Sequence, residues 1–273
     1  MDPNMIFLQI AFVVILVMIG FKIRNNIYID SFCREIFTLK DRTLFYPEDE
    51  LRGYPVEIIR YLEYTQSLHQ KAQKRLKVYY RGMMKFGPQK EWRRFRLKNG
   101  INYETQSYYL LGCISYFPGF HIRFFEGFKN HKARFEVFLG SMFRYLEGEG
   151  HELDHTGAMN YFLMALLSPA YLTREYFSFR SAGEGEVESE LALGDQKLTA
   201  SMVFDDLGRL RLVRSRRFYY SKGTFTELPW EVKVEKYDEF LGHRIPSVLD
   251  FYYGREENQI LYSRLEVQKM YPD

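Results

Sequence analysis

Residues 186–220 decide the fold: Glu186–Leu193 (EVESELAL), a break at Gly194-Asp195, Lys197–Phe204 (KLTASMVF), a break at Asp206-Leu207-Gly208, then Arg209–Tyr220 (RLRLVRSRRFYY). Each run is short and rich in β-branched, aliphatic or aromatic residues, and each break carries turn chemistry. Connections this short join antiparallel neighbours, because parallel strands need a crossover of a dozen or more residues. The pattern extends outward to Tyr176–Arg180 on one side and to Trp230–Phe240, Ile245–Tyr253 and Ile260–Gln268 on the other. Glu184, Glu186, Glu188 and Glu190 fall on alternate positions, hence on one solvated strand face. Arg209, Arg211, Arg214 or Arg216 on a neighbouring strand would pair with them, for a few tenths of a kcal/mol per exposed pair.

Toward the N-terminus the period changes. A helix is predicted from Leu153 or Thr156 to Leu167, with Met159, Phe162, Leu163, Leu166 and Leu167 as its apolar face and Ser168-Pro169 as its stop. Ahead of it, strands are predicted at Leu76–Arg81, Trp92–Leu97, Ile101–Ser107, Gly119–Phe128, Ala133–Leu139 and Met142–Leu146, with turns at Gly87-Pro88 and Asn99-Gly100. Pro55 opens a further helix to about Gln70. The fold class is therefore α+β, a large curved antiparallel sheet packed on one or two helices, spanning 54–273 as a single domain.

The chain begins differently. Met5–Phe21 (MIFLQIAFVVILVMIGF) runs 17 residues without a charge. As a helix it is about 25 Å long, close to the hydrocarbon thickness of a bilayer. Met1-Asp2-Pro3-Asn4 lacks the basic n-region of a signal peptide and no A-x-A site follows, so residues 1–26 read as an uncleaved single-pass anchor. Ile27–Lys40 reads as a short amphipathic helix leaving the membrane, and 41–53 as a linker. Lys22, Arg24, Arg34, Lys40 and Arg42 follow the apolar run, which places the large domain in the cytoplasm by the positive-inside rule. Two widely spaced cysteines, Cys33 and Cys113, fit a reducing compartment.

The chain is 46% hydrophobic and 18% aromatic, which excludes a disordered protein. Its net charge of +3 hides a cluster: Lys71 to Lys98 holds eleven basic residues against one Glu91. Beside an anchor, Lys77, Arg81, Arg93, Arg94 and Arg96 would meet anionic headgroups. The interleaved Tyr79, Tyr80, Phe86, Trp92 and Phe95 match single-strand nucleic-acid binders, but a half-buried strand gives the same pattern, and no nucleic-acid partner is expected.

One motif bears on catalysis. His151-Glu152-Leu153-Asp154-His155 matches H-E-x-x-H, in which two histidines on one helix face bind zinc and the glutamate is the base. Gly148 and Gly150 stand just before it, so the helix is expected to begin within the motif, and Tyr161 occupies the place of a third histidine ligand. The plainer reading is a polar helix start. There is no G-x-S-x-G, Walker loop or dinucleotide fingerprint, and no cofactor is expected.

A set of short motifs in order gives the chain a resemblance: Tyr54-Pro55-Val56 with Arg60-Tyr61-Leu62, Gly82 and Trp92, Pro118-Gly119-Phe120, and Tyr145-x-x-Gly148-x-Gly150. It continues through Pro169-Ala170-Tyr171-Leu172, Phe204-Asp205 with Gly208, Arg216–Tyr220, Leu228-Pro229-Trp230, Tyr237 with Gly242, and Ile245-Pro246. Over about residues 51–265 this resembles a family of mostly bacterial proteins known as a domain of unknown function, whose members similarly carry one N-terminal membrane helix. The chain departs from the family at Met164-Ala165, where an acidic residue is usual, and at Ile122, where Trp is usual. The strand–helix–strand order is also similar to lipoprotein-carrier half-barrels, which implies a cavity between sheet and helix.

The leading expectation is non-enzymatic binding of a lipid or other hydrophobic ligand at the membrane, with Trp92, Phe120, Tyr145, Phe162 and Trp230 lining the cavity. The alternatives are a zinc hydrolase using His151, Glu152 and His155, and a structural or protein-interaction domain tethered to the membrane.

Overall fold

The computed structural model describes residues 3–38, 51, 53–68, 72–85, 90–117, 120–221, 223–254 and 258–272. Most of the expected 41–53 linker, the Gly87-Pro88 turn and Pro118-Gly119 lie outside the described residues.

Thirteen strands among the described residues form one antiparallel sheet made of two meanders. The first runs β1 (Arg75–Met84), β2 (Arg93–Asn102), β3 (Ser107–Phe117), β4 (Phe120–Lys129), β5 (Lys132–Leu139) and β6 (Phe143–Glu149). The second runs β7 (Phe177–Gly183), β8 (Glu186–Leu193), β9 (Gln196–Phe204), β10 (Leu210–Ser221), β11 (Thr224–Phe240), β12 (His243–Tyr253) and β13 (Ile260–Pro272). First and last strands meet at the seam, from Leu76 opposite Pro272 to Met84 opposite Ser263. β6 and β7 remain as the two edges, so the sheet is open and not a closed barrel.

Helix α3 (His151–Ala165) and a 3-10 turn at Pro169–Thr173 connect those edges. Ala158, Met159 and Phe162 of α3 are buried in one core with Val78, Leu97, Trp230 and Val232 from the sheet's inner face. At Gly157 the helix comes so near β4 and β5 that a Cβ would stand 2.7 Å from the Phe128 ring and 2.9 Å from the Ala133 Cβ. Helix α2 (Val56–Tyr64) joins the same core through Ile58, Tyr61 and Leu62. It is shorter than the 55–70 expected, because Gln66 at φ 60° turns the chain out and Thr65 Oγ1 bonds back to the Tyr61 carbonyl at 2.9 Å. The Asp205–Gly208 turn closes on it: Gly208 at φ +76° lies where a Cβ would be 2.8 Å from the Arg60 carbonyl.

Part of the outer face is covered by the second half of α1 (Pro3–Thr38), which is 36 residues in one piece. The anchor and the juxtamembrane helix, read as two elements in the sequence, are continuous, since Lys22–Asn26 contains neither Gly nor Pro to break them. Met5–Phe37 contains a window long and apolar enough to cross a bilayer, a property shared by anchors and signal sequences. The first half projects away from the sheet with its side chains exposed, and the second half buries Ile29 and Ile36 against Tyr109, Phe125 and Phe138.

Two local expectations are corrected. Asn99 and Gly100 are buried inside β2; the turn falls at residues 103–106. Ser107–Phe117, not Ile101–Ser107, is the strand that follows. The β8 carboxylates do face outward, and Arg214 reaches Glu186 at 3.8 Å, but Arg180 of β7 and Lys197 of β9 are the partners of Glu188 and Glu190.

Candidate functional site

Between the inner face and α3 lies a cavity of about 300 Å³. Phe95, Leu97 and Ile114 come from β2 and β3, Phe124 and Val137 from β4 and β5, and Phe251 and Leu265 from β12 and β13; Leu163, Met164 and Leu167 close it from the helix side. The walls are almost wholly apolar, so water inside them lacks partners, the condition under which a hydrophobic ligand is favoured.

A few polar groups reach this space. Glu126 accepts a hydrogen bond from Asn160 Nδ2 at 2.7 Å and another from the Tyr108 hydroxyl. Burial and the Glu126 carboxylate hold the Tyr108 phenol well above its ordinary pKa, so it stays a donor. Arg217 of β10 lies against the Trp230 ring, 5.1 Å from its centroid. The buried Arg217 Nε and Asn99 Oδ1 have no hydrogen-bond partner.

The cavity has a definite relation to α1. The β1–β2, β3–β4 and β5–β6 connections fall at one end of the sheet, as they must in a meander. At that end Asn25 Nδ2 donates to the Met142 carbonyl at 2.8 Å, and the rings of Phe21 and Phe143 are 6.2 Å apart. Toward the opposite end Phe32 packs edge-on to Phe125 at 5.4 Å, and Asn102 Nδ2 donates to the Ile36 carbonyl at 2.8 Å. The exposed apolar half of α1 therefore continues past the end that carries these three connections. Cavity residues Met84, Ile122 and Tyr262 lie close to strand termini at that same end.

The residues selected from sequence are dispersed. Phe162 is buried but turned toward Phe177, 5.8 Å between centroids, rather than toward the cavity. Trp230 is buried behind Arg217 and donates from Nε1 to the Tyr262 hydroxyl at 2.9 Å. Trp92 is half-buried under the Lys85 ammonium, and Tyr145 is 73% exposed on β6. Phe120 opens β4, and its side chain lies outside the described residues. Among the basic residues, Arg81, Arg94 and Arg96 are exposed, Arg93 pairs with Glu91 at 3.2 Å, and Lys77 lies over the Phe37 ring at the far end of α1. Arg81 and Arg96 border an outer-face groove beside α1 that also contains Lys98, Arg123 and Lys269.

Helix α3 starts at His151, so the whole H-E-x-x-H stretch is helical, a correction to the expectation that the helix begins inside it; Gly150 at φ 128° supplies the turn-in. His151 is exposed, Glu152 half-buried, and the half-buried His155 ring stands edge-on to Phe218 at 5.2 Å. Burial lowers the His155 pKa. Asp154 is engaged structurally, accepting the Ala133 N–H at 2.7 Å and Lys132 Nζ at 3.0 Å. Among the described residues, no three His, Cys, Asp or Glu side chains are grouped to hold a metal.

Sequence reasoning missed Glu126, Asn160 and Arg217. Strand parity held the signal for one of them: counting from the buried Val213, alternate positions bring Arg217 to the inner face.

The chain belongs to a family of unknown function, DUF6544, which it matches over residues 45–265. No curated protein matches it. Among solved structures it is similar to an outer-membrane lipoprotein-sorting protein domain from Vibrio parahaemolyticus, at 12% identity and a TM-score of 0.40, covering 78% of this chain and 91% of that one.

Proposed function

We propose that this protein is held in a bilayer by α1 and binds a lipid or other hydrophobic ligand in the cavity between sheet and α3, without chemical conversion. The observation that carries the reading is the cavity itself: its walls are apolar, and three of its lining residues, Met84, Ile122 and Tyr262, lie near the end of the sheet from which the apolar half of α1 departs. A ligand would exchange there with the membrane directly. The continuity of α1 supports an anchor over a cleaved signal, because its second half is part of the folded domain and covers Tyr109 and Phe125. Lys22, Arg24 and Arg34 support a cytoplasmic domain. Arg81, Arg93, Arg94 and Arg96 would attract anionic headgroups at about 1 kcal/mol each near the surface. Membrane lipids are thus the expected partners.

The test uses the chain's two tryptophans. In the full chain carrying Trp92→Phe, Trp230 is the sole reporter, one side chain behind the cavity wall. Titration with dibromostearic acid in nanodiscs should quench it saturably. A response no larger than that of free tryptophan in the same nanodiscs would remove the support for ligand binding.

A further inference from the structure

We infer that the cavity ligand is a single-chain amphiphile with an anionic head, and that the Arg217 guanidinium receives that head. This rests on the hydrophobic-ligand reading above and adds the ligand's charge and chain number.

β10 carries a run of arginines with two fates. Arg214 and Arg216 point outward and pair with carboxylates, Arg214 with Glu231 at 3.5 Å and Arg216 with Glu227 at 2.8 Å. Arg217 turns inward to the cavity, where its buried Nε finds no hydrogen-bond partner. A cation so placed must be compensated or neutralised. Neutralisation is closed to it, because a guanidinium keeps its proton inside proteins even where burial opposes the charge. Compensation within the protein is incomplete. Glu126 acts on Arg217 through space, while its Oε1 is already taken by Asn160 and Tyr108. The Trp230 ring lies 5.1 Å from the guanidinium carbon, and the planar edge of a guanidinium is the part that forks onto a carboxylate or phosphate.

The volume sets the rest. About 300 Å³ is at the lower end of ligand pockets, roughly 300–1,000 Å³, which suits one chain better than two. Carboxylate and phosphate monoester heads share the required chemistry, so the source is a fatty acid or a single-chain phospholipid.

The experiment photolabels the full chain in phosphatidylcholine nanodiscs with three diazirine probes: palmitic acid, its methyl ester, and lysophosphatidic acid. Labelled peptides are mapped by mass spectrometry to β4 and α3. The acid should label those peptides about tenfold more than the ester, the fold-change of one charge-assisted hydrogen bond. Arg217→Met should lower acid labelling to the level of the ester and leave the ester unchanged. Arg217→Lys, which keeps the charge should the Met variant fail to fold, should retain the preference for the acid. Glu126→Gln should increase it. Stronger labelling by lysophosphatidic acid than by palmitic acid assigns the phosphate head; the reverse assigns the carboxylate. Equal cavity labelling by acid and ester in the unaltered protein overturns the anionic-head inference while hydrophobic binding stands. Absence of cavity labelling by all three overturns both.

Discussion

The docking of α1 on the outer face makes a quantitative prediction. Ile29 and Ile36 are each 1% exposed and belong to a cluster separate from the main core. Truncating a buried Ile to Ala costs about 2–5 kcal/mol. The two sites are two helical turns apart, about 10 Å along the axis, so their costs should nearly add. Ile29→Ala with Ile36→Ala therefore weakens docking by about 4–10 kcal/mol, while the polar contacts that remain (Asn25 to Met142, Asn102 to Ile36) keep their own contribution of about 0.5–1.5 kcal/mol each. Since 1.4 kcal/mol is a factor of ten, even the low end raises the undocked population by nearly three decades. The assay is hydrogen exchange by mass spectrometry on the full chain in nanodiscs. Amides of residues 24–38 and of β3–β5 should exchange faster by at least a hundredfold, while β8–β12 keep their protection, because the inner core does not depend on this cluster. Less than a tenfold change in 24–38, or simultaneous loss of protection across both meanders, would refute a separately docked helix.

Two further predictions concern stability. Asp154→Ala removes the acceptor of the buried Ala133 N–H, so it should cost about 1–3 kcal/mol and lower the melting temperature, whereas Lys132→Ala, whose side chain is largely exposed, should shift it little. Burial lowers the pKa of His243, against the pull of backbone hydrogen bonds with Gln66 and Thr65. A histidine buried neutral binds its proton more weakly folded than unfolded, so its contribution is intact above pH 6.5 and is lost as pH falls below it. The melting temperature should drop between pH 7 and pH 5, and His243→Gln should flatten that dependence; a parallel profile in the variant would assign the sensitivity elsewhere.

The second meander was legible because its information is local. Gly194-Asp195 and Asp205 to Gly208 break runs that alternate cleanly, as in the burial of β8 and β9. β3 was not, because its sequence SYYLLGCISYF is apolar at both parities. Tyr109 and Leu111 lie under α1 while Tyr108 and Ile114 face the inner core, and burial on two faces erases the alternation that marks a strand. A cavity follows from a large sheet on few helices, but which side chains line it depends on strand parity. The sequence reading named aromatics such as Trp230 and Phe162, and the walls are set by which residue of each pair turns inward, as Phe124 does and Phe125 does not. Arg217 is separated from Arg216 by strand parity alone, which becomes readable only once the buried Val213 fixes which parity of β10 faces inward.

The central claim, that the cavity holds a ligand, is tested most directly by native mass spectrometry of the full chain purified from the cells that make it, beside a variant whose cavity is filled. Leu163→Trp places an indole into the space from α3. The unaltered chain should retain one hydrophobic molecule of defined mass, recovered in the organic extract, and the Leu163→Trp chain should fold and retain none. A ligand-free unaltered chain, or a variant that keeps the same molecule at the same stoichiometry, would contradict the claim.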